Sequence, residues 1–173
     1  MNAATPTPVV LLVDDDRALC TLARRKLERE NLTLVTLHTG RDAIAWLDAN
    51  EADLVLLDLF LPDMKGQDLL DALAARKRDV PFVVMTGYGD ERVAVDIMKK
   101  GALDYLAKNV ALPEFLPSVV RNALDRLAEQ RRLATAESAL RERQEAERQF
   151  MERLTVLHAV TNELMDASSF DEL

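Results

Sequence analysis

Five short apolar runs alternate with stretches of helical spacing, and that alternation leaves the chain few folds to adopt. Val9–Val13, Thr33–Leu37, Leu54–Leu57, Phe82–Met85 and Asp104–Ala107 have strand length, and three of them are nearly continuous in apolar residues. Such runs suit a parallel sheet covered on both faces. Between them, Arg17–Glu30, Arg41–Ala49, Gln67–Arg76 and Glu91–Lys99 carry helical periodicity, clearest in Leu19, Leu22, Ala23 and Leu27. Repeated βα units of this kind predict an α/β fold with an open, doubly wound, five-stranded parallel sheet.

Composition narrows what this sheet can serve. Hydrophobic residues make up 49% of the chain and charged residues 30%, enough apolar surface for a core. The net charge of −8 argues against a nucleic-acid footprint, which needs a concentrated basic face. A single cysteine, Cys20, excludes an intrachain disulfide framework and a four-cysteine zinc site, and its helical neighbours suggest a small packed residue. With neither a signal segment nor an apolar run approaching ~18 residues, the expectation is a soluble, cytoplasmic chain without membrane contact.

Open sheets bind ligands outside the carboxyl ends of their strands. Asp14, Asp15 and Asp16 follow the first strand, Asp58 ends the third, Thr86 the fourth and Lys108 the fifth. Singly, each polar residue marks where a strand stops. Together they bring acid, acid, hydroxyl and ammonium to one crevice. Crowded carboxylates repel, and protonation or a divalent cation relieves the repulsion. A hard, oxygen-seeking ion such as Mg²⁺ fits, because it keeps waters and room for a phosphate oxygen. One carboxylate left free is a nucleophile for phosphorus. A metal, an ammonium and a hydroxyl can then answer the three oxygens of a transferred phosphoryl group.

The segments LLVDDD, LVLLDLFLPDMKG, VVMTGYGD and ALDYLAKN resemble, in order and spacing, the receiver domain of two-component response regulators, over roughly Val9 to Leu127. The resemblance implies a flavodoxin-like fold and phosphorylation by a histidine kinase. It implies Asp58 as phosphoacceptor, with Mg²⁺ held by Asp14, Asp15, Asp58 and the backbone carbonyl of Phe60. Lys108 would pair with the phosphoryl group, Thr86 would hydrogen-bond it, and Tyr105 would be the switch aromatic that turns inward when the threonine moves. Asp16 is an added acid suited to capping the following helix. Gly87 matches a position kept small for phosphate entry, and Pro62 and Gly66 match the loop after the acceptor.

The chain departs from the family pattern in three places. Asn109 stands where a proline, often cis, usually follows the lysine; a cis bond without proline costs about 2.5–4 kcal/mol, so the bond is trans or the strain is absorbed nearby. Ala111 stands where an Asp or Ser commonly caps the last helix, which predicts a start weaker by about 1 kcal/mol. Phe60 and Tyr88 are bulky at positions that influence hydrolysis of the phosphoryl group, and would shield it from water.

All 5 Gly and all 6 Pro lie at or before Pro117, so nothing punctuates the chain from Ser118 to Leu173. A last receiver helix is expected to start near Pro113 and run on. Positions Leu133 to Leu164 follow alternating steps of three and four, mostly apolar, as in a two-stranded coiled coil with polar breaks. The phase shifts between Leu127 and Leu133. The alternative is a single amphipathic helix folding back on its own receiver. His158 resembles a phosphorelay histidine only weakly, because Ala159, Val160 and Thr161 follow it, and the ending faintly resembles the opening helix of a GAF domain.

The expected organisation is a flexible 1–8, a receiver over 9–127 and a stalk over 128–173 leading toward an output or sensor domain. The stalk is read as a homodimer contact. Apart from self-phosphorylation and self-dephosphorylation at Asp58, no enzymatic turnover is expected. Two rival readings are a Mg²⁺-dependent phosphohydrolase with an aspartate nucleophile, and a receiver-like module serving dimerisation alone. The first typically needs a second Asp two residues after the nucleophile, where this chain has Phe60. The intact acid set with Thr86 and Lys108 speaks against the second.

Overall fold

The computed structural model describes residues 7–87 and 96–168, with 156 and 158–168 described by backbone alone. The elements run β1 (Val9–Val13), α1 (Arg17–Leu27), β2 (Thr33–Leu37), α2 (Gly40–Ala49), β3 (Leu54–Asp58), α3 (Gly66–Ala75), β4 (Phe82–Thr86), β5 (Asp104–Ala107) and α4 (Leu112–Ser168). All five strands pair in parallel in the order β2-β1-β3-β4-β5, the flavodoxin-like arrangement. Of the helix expected at Glu91–Lys99, residues 96–99 are helical and the remainder lies outside the described residues. Among the described residues, no helix is long and apolar enough to cross a membrane.

The three inner strands are buried, as their continuous apolar runs require. Val10 to Val13, Leu54 to Leu57 and Phe82 to Met85 are all buried. Burying each such side chain contributes about 1.5–3 kcal/mol relative to exposure. On one sheet face Leu11, Val13, Leu57 and Val84 join Leu47, Leu69 and Ile97 in a single cluster. On the other, α1 buries Cys20, Ala23 and Leu27, and the first turns of α4 bury Leu116, Val120 and Ala123. Lys26 of α1 meets Glu114 of α4 at 2.6 Å, and Arg121 holds Glu30 through two hydrogen bonds, at 3.1 and 2.5 Å.

Two expectations change in detail, and one open alternative closes. The third and fourth strands each run one residue farther than expected, because Asp58 pairs with Met85 and Thr86 with Ala107 despite their polar side chains. Helix α1 ends at Leu27 instead of Glu30. There the Glu30 N–H turns back to the Leu27 carbonyl at 3.0 Å, which frees Thr33 to donate to Pro8 and open β2. Finally, the Lys108–Asn109 bond is trans, since no described peptide is cis. Asn109 Oδ1 accepts the Ala111 N–H at 3.0 Å, and its carbonyl accepts the Leu112 N–H at the same distance. Asn109 therefore provides local hydrogen bonding at the start of α4 that Ala111 cannot.

The chain divides into two compact units, Met1–Arg126 and Leu127–Leu173. In the second, every described side chain from Ala128 onward is exposed, including Leu133, Leu140, Phe150 and Leu154.

Candidate functional site

Parallel register brings the strand ends level. Val13 lies between Leu37 and Leu57, so Asp14 emerges beside Asp58, and Thr86 and Lys108 follow on the next two strands. Asp14 is fully buried, Asp58 is 5% exposed and Thr86 2%, whereas Asp15 is exposed. Carboxylate oxygens of Asp14, Asp15 and Asp58 all lie within 4.8 Å of one another.

Asp14 and Asp58 are each held at one oxygen by a backbone N–H and meet Lys108 at the other. Asp14 Oδ1 accepts the Asp16 N–H at 2.9 Å, and Asp58 Oδ1 accepts the Phe60 N–H at 3.1 Å. Lys108 Nζ stands 2.5 Å from Asp58 Oδ2 and 2.7 Å from Asp14 Oδ2. Only the first contact is a hydrogen bond. Asp14 Oδ2 is a buried oxygen without a hydrogen-bond partner, despite the nearby ammonium. A buried acceptor left unsatisfied is costly, and this one belongs to a cluster of hard oxygen donors, which suits a divalent cation such as Mg²⁺.

The electrostatics agree. Burial pushes the Asp14 carboxyl above its ordinary value, against the opposing pull of Lys108 and the Asp16 N–H. Burial would lower the Lys108 ammonium, but Asp14 and Asp58 together outweigh it and hold the group above its ordinary value. Cys20, 4% exposed, is pushed up to about 11 by burial and then by the charges of Asp14 and Asp16. It is a packed, inert thiol in this state.

Neighbouring loops set these positions. Asp16 caps α1 by accepting from the Ala18 and Leu19 N–H groups at 2.9 and 3.0 Å. The Lys108 N–H donates to the Thr86 carbonyl at 2.7 Å, which ties the ends of β4 and β5 together. Gly66 opens α3 so close to β3 that a Cβ there would stand 2.7 Å from the Asp58 carbonyl oxygen. Its need for glycine is therefore a matter of space; among the described glycines only Gly101 has a positive φ, of 97°. Tyr105 faces outward at 42% exposure, and the Phe60 side chain is 51% exposed. Gly87 accepts from the Thr86 hydroxyl at 3.3 Å. Tyr88 lies outside the described residues, as does the side chain of His158.

His38 is the residue that sequence reasoning missed. Its Nδ1 lies 2.9 Å from the Asp14 carbonyl oxygen, bracing the backbone that carries the buried acid. Its only local mark is its place directly after β2; nothing in the sequence announces the bond to Asp14.

A parallel sheet in this order, with acids from β1 and β3 meeting a lysine beyond β5, has the architecture of a signal-receiver domain. The profile of the response regulator receiver domain matches residues 10–121, and the chain belongs to that family. It is 42% identical over 97 residues to the regulatory protein LuxO of Vibrio cholerae, covering 56% of this chain and 21% of that one. It is 34% identical over 146 residues to the C4-dicarboxylate transport transcriptional regulatory protein DctD of Rhizobium meliloti, covering 84% and 30%. The chain thus spans about a fifth to a third of these relatives' length. Among solved structures, the signal receiver domain of a LuxO-type repressor protein from Vibrio parahaemolyticus superposes with a TM-score of 0.69 at 32% identity, covering 73% of this chain and 97% of that one. NtrX of Brucella abortus gives 0.68 at 26% identity, covering 75% and 29%.

Proposed function

We propose that this receiver takes a phosphoryl group on Asp58 from a histidine kinase and passes the change to its C-terminal helix. The observation that carries the reading is Lys108 Nζ at 2.5 Å from Asp58 Oδ2 and 2.7 Å from the buried Asp14 Oδ2. Asp14, Asp15, Asp58 and the Phe60 backbone carbonyl would hold Mg²⁺, which when bound supplies positive charge to the phosphoryl oxygens. An Asp58 carboxylate oxygen bonds to phosphorus as the bond from phosphorus to the donor's imidazole nitrogen breaks. Lys108 exchanges its Asp58 contact for a phosphoryl oxygen, and the Thr86 hydroxyl donates to another. Tyr105, outward here, turns inward as Thr86 moves.

In this reading 9–127 is the receiver and 128–173 a stalk that pairs with a second copy in parallel. The chain acts only on its own Asp58 and not on a separate substrate. It works in the cytoplasm, where histidine kinases deliver phosphoryl groups. DctD is named a transcriptional regulator; a similar role would reach this chain through its receiver, because its net charge of −8 makes it a poor direct ligand for nucleic acid.

Incubation with Mg²⁺ and a small acyl phosphate, read by mass spectrometry, tests the reading. One phosphoryl adduct is expected, labile to base and hydroxylamine and absent from Asp58→Asn. Persistent labelling of that variant at another residue overturns the assignment.

A further inference from the structure

Along α4 the stripe of Leu133, Leu140, Phe150 and Leu154 is 44–61% exposed within the single chain. Midway the stripe is broken by two charges, Arg143 and Glu147, at successive positions of the same three-and-four alternation. They are four residues apart, a spacing at which a helix forms ion pairs within itself. Yet among the described residues neither is paired. By contrast, Arg141 reaches Glu137 at 4.0 Å, and Arg148 reaches Glu145 at 2.7 Å and Glu152 at 3.9 Å. Opposite charges placed on a seam and left unused within the chain are available to another one.

We propose that Arg143 of each chain pairs with Glu147 of a second copy, forming a four-charge layer that fixes two α4 helices parallel and in register. The inference rests on the dimeric reading above and adds what sets its orientation and alignment. With Leu133, Leu140, Glu147 and Leu154 at a positions, Arg143 and Phe150 fall at d. In a parallel, in-register pair each d side chain enters a hole whose wall includes the partner's next a residue. Arg143 therefore meets Glu147, and two-fold symmetry makes the contact twice. Slipping one heptad would break one of the two interchain Arg143–Glu147 contacts and set the displaced charges against leucine and phenylalanine layers, which is unfavourable. The flanks agree: Arg132 at g and Glu137 at e attract across a parallel interface. An antiparallel pair centred between the two charges would also oppose Arg143 with Glu147, but it would set Glu137 against Met151 and lose the flanking attraction.

Sedimentation equilibrium on the full chain tests the layer. Arg143→Glu and Glu147→Arg should each weaken the dimer about tenfold or more, since each gathers four like charges in the seam. An equal mixture of the two variants should recover a dimer of roughly wild-type affinity. Orientation is read separately. Leu140→Cys on a Cys20→Ser background should oxidise to a linked dimer, because a positions face each other only in the parallel arrangement. If the unmutated chain is monomeric at tens of micromolar, the dimeric reading falls and the layer with it. If that chain is a dimer but the charge variants bind as tightly as wild type, the layer alone is wrong. A dimer that resists the Leu140→Cys linkage overturns the parallel register.

Discussion

Asp14 divides its two oxygens between the fold and the chemistry. Oδ1 accepts the Asp16 N–H and so shapes the cap of α1, while Oδ2 is buried without a hydrogen bond. Because burial raises this carboxyl above its ordinary 3.8, the native state holds the proton more tightly than the unfolded chain does. The contribution of this one group to metal-free stability is then greatest in acid and falls as pH rises from 3.8 through the folded value, levelling off above it. Asp14→Asn keeps the shape and removes the charge. In metal-free buffer at neutral pH it should gain about 1 kcal/mol by urea denaturation, and lose Mg²⁺ affinity in a parallel titration. Asp14, Asp58, Thr86 and Lys108 were legible because a polar residue closing an apolar run is a local signal. His38 against the Asp14 carbonyl and Asp63 capping α2 through the Gly40 and Arg41 N–H groups were not. Those bonds join residues far apart in the chain, and no spacing announces them.

Between elements, backbone meets backbone most tightly where α3 starts against β3. A Cβ on Gly66 would meet the Asp58 carbonyl oxygen at 2.7 Å and Leu59 Cα at 3.0 Å, and backbone has little room to yield. Gly66→Ala should cost about 1–3 kcal/mol in denaturant unfolding and slow acyl-phosphate labelling by displacing Asp58. The pair of Glu30 with Arg121, between α1 and α4, gives a pH signature instead. Its guanidinium lowers the Glu30 carboxyl below the ordinary 4.5, so the pair's contribution is present above 4.5 and lost as pH falls through the folded value. Glu30→Gln should therefore flatten the acid limb of the thermal midpoint against pH while leaving its slope near neutrality unchanged. The strands themselves were readable to within a residue, since fully buried parallel strands declare themselves by unbroken apolar runs. The apolar runs stop one residue short of Asp58 and Thr86, where backbone pairing continues under a polar side chain.

At the scale of the chain, two units meet different demands. The first buries most of its apolar residues in its own core; the second leaves every described side chain from Ala128 onward exposed. Leu154→Lys with Leu157→Lys should make the chain monomeric by light scattering while its urea transition, carried by the first unit, stays in place. The sheet order holds one more consequence. β1 is first in sequence but lies between β2 and β3, so the strand that leaves the ribosome first must wait for both its neighbours to be made. The acids that follow it wait longer still, because Lys108 lies beyond the last strand. A nascent chain halted between β3 and β5 carries the negative charge of Asp14, Asp15 and Asp58 without the Lys108 ammonium to answer it. The ordering of the strands thus makes the completed pocket a late event of synthesis, and truncated products should be poor competitors for the kinase.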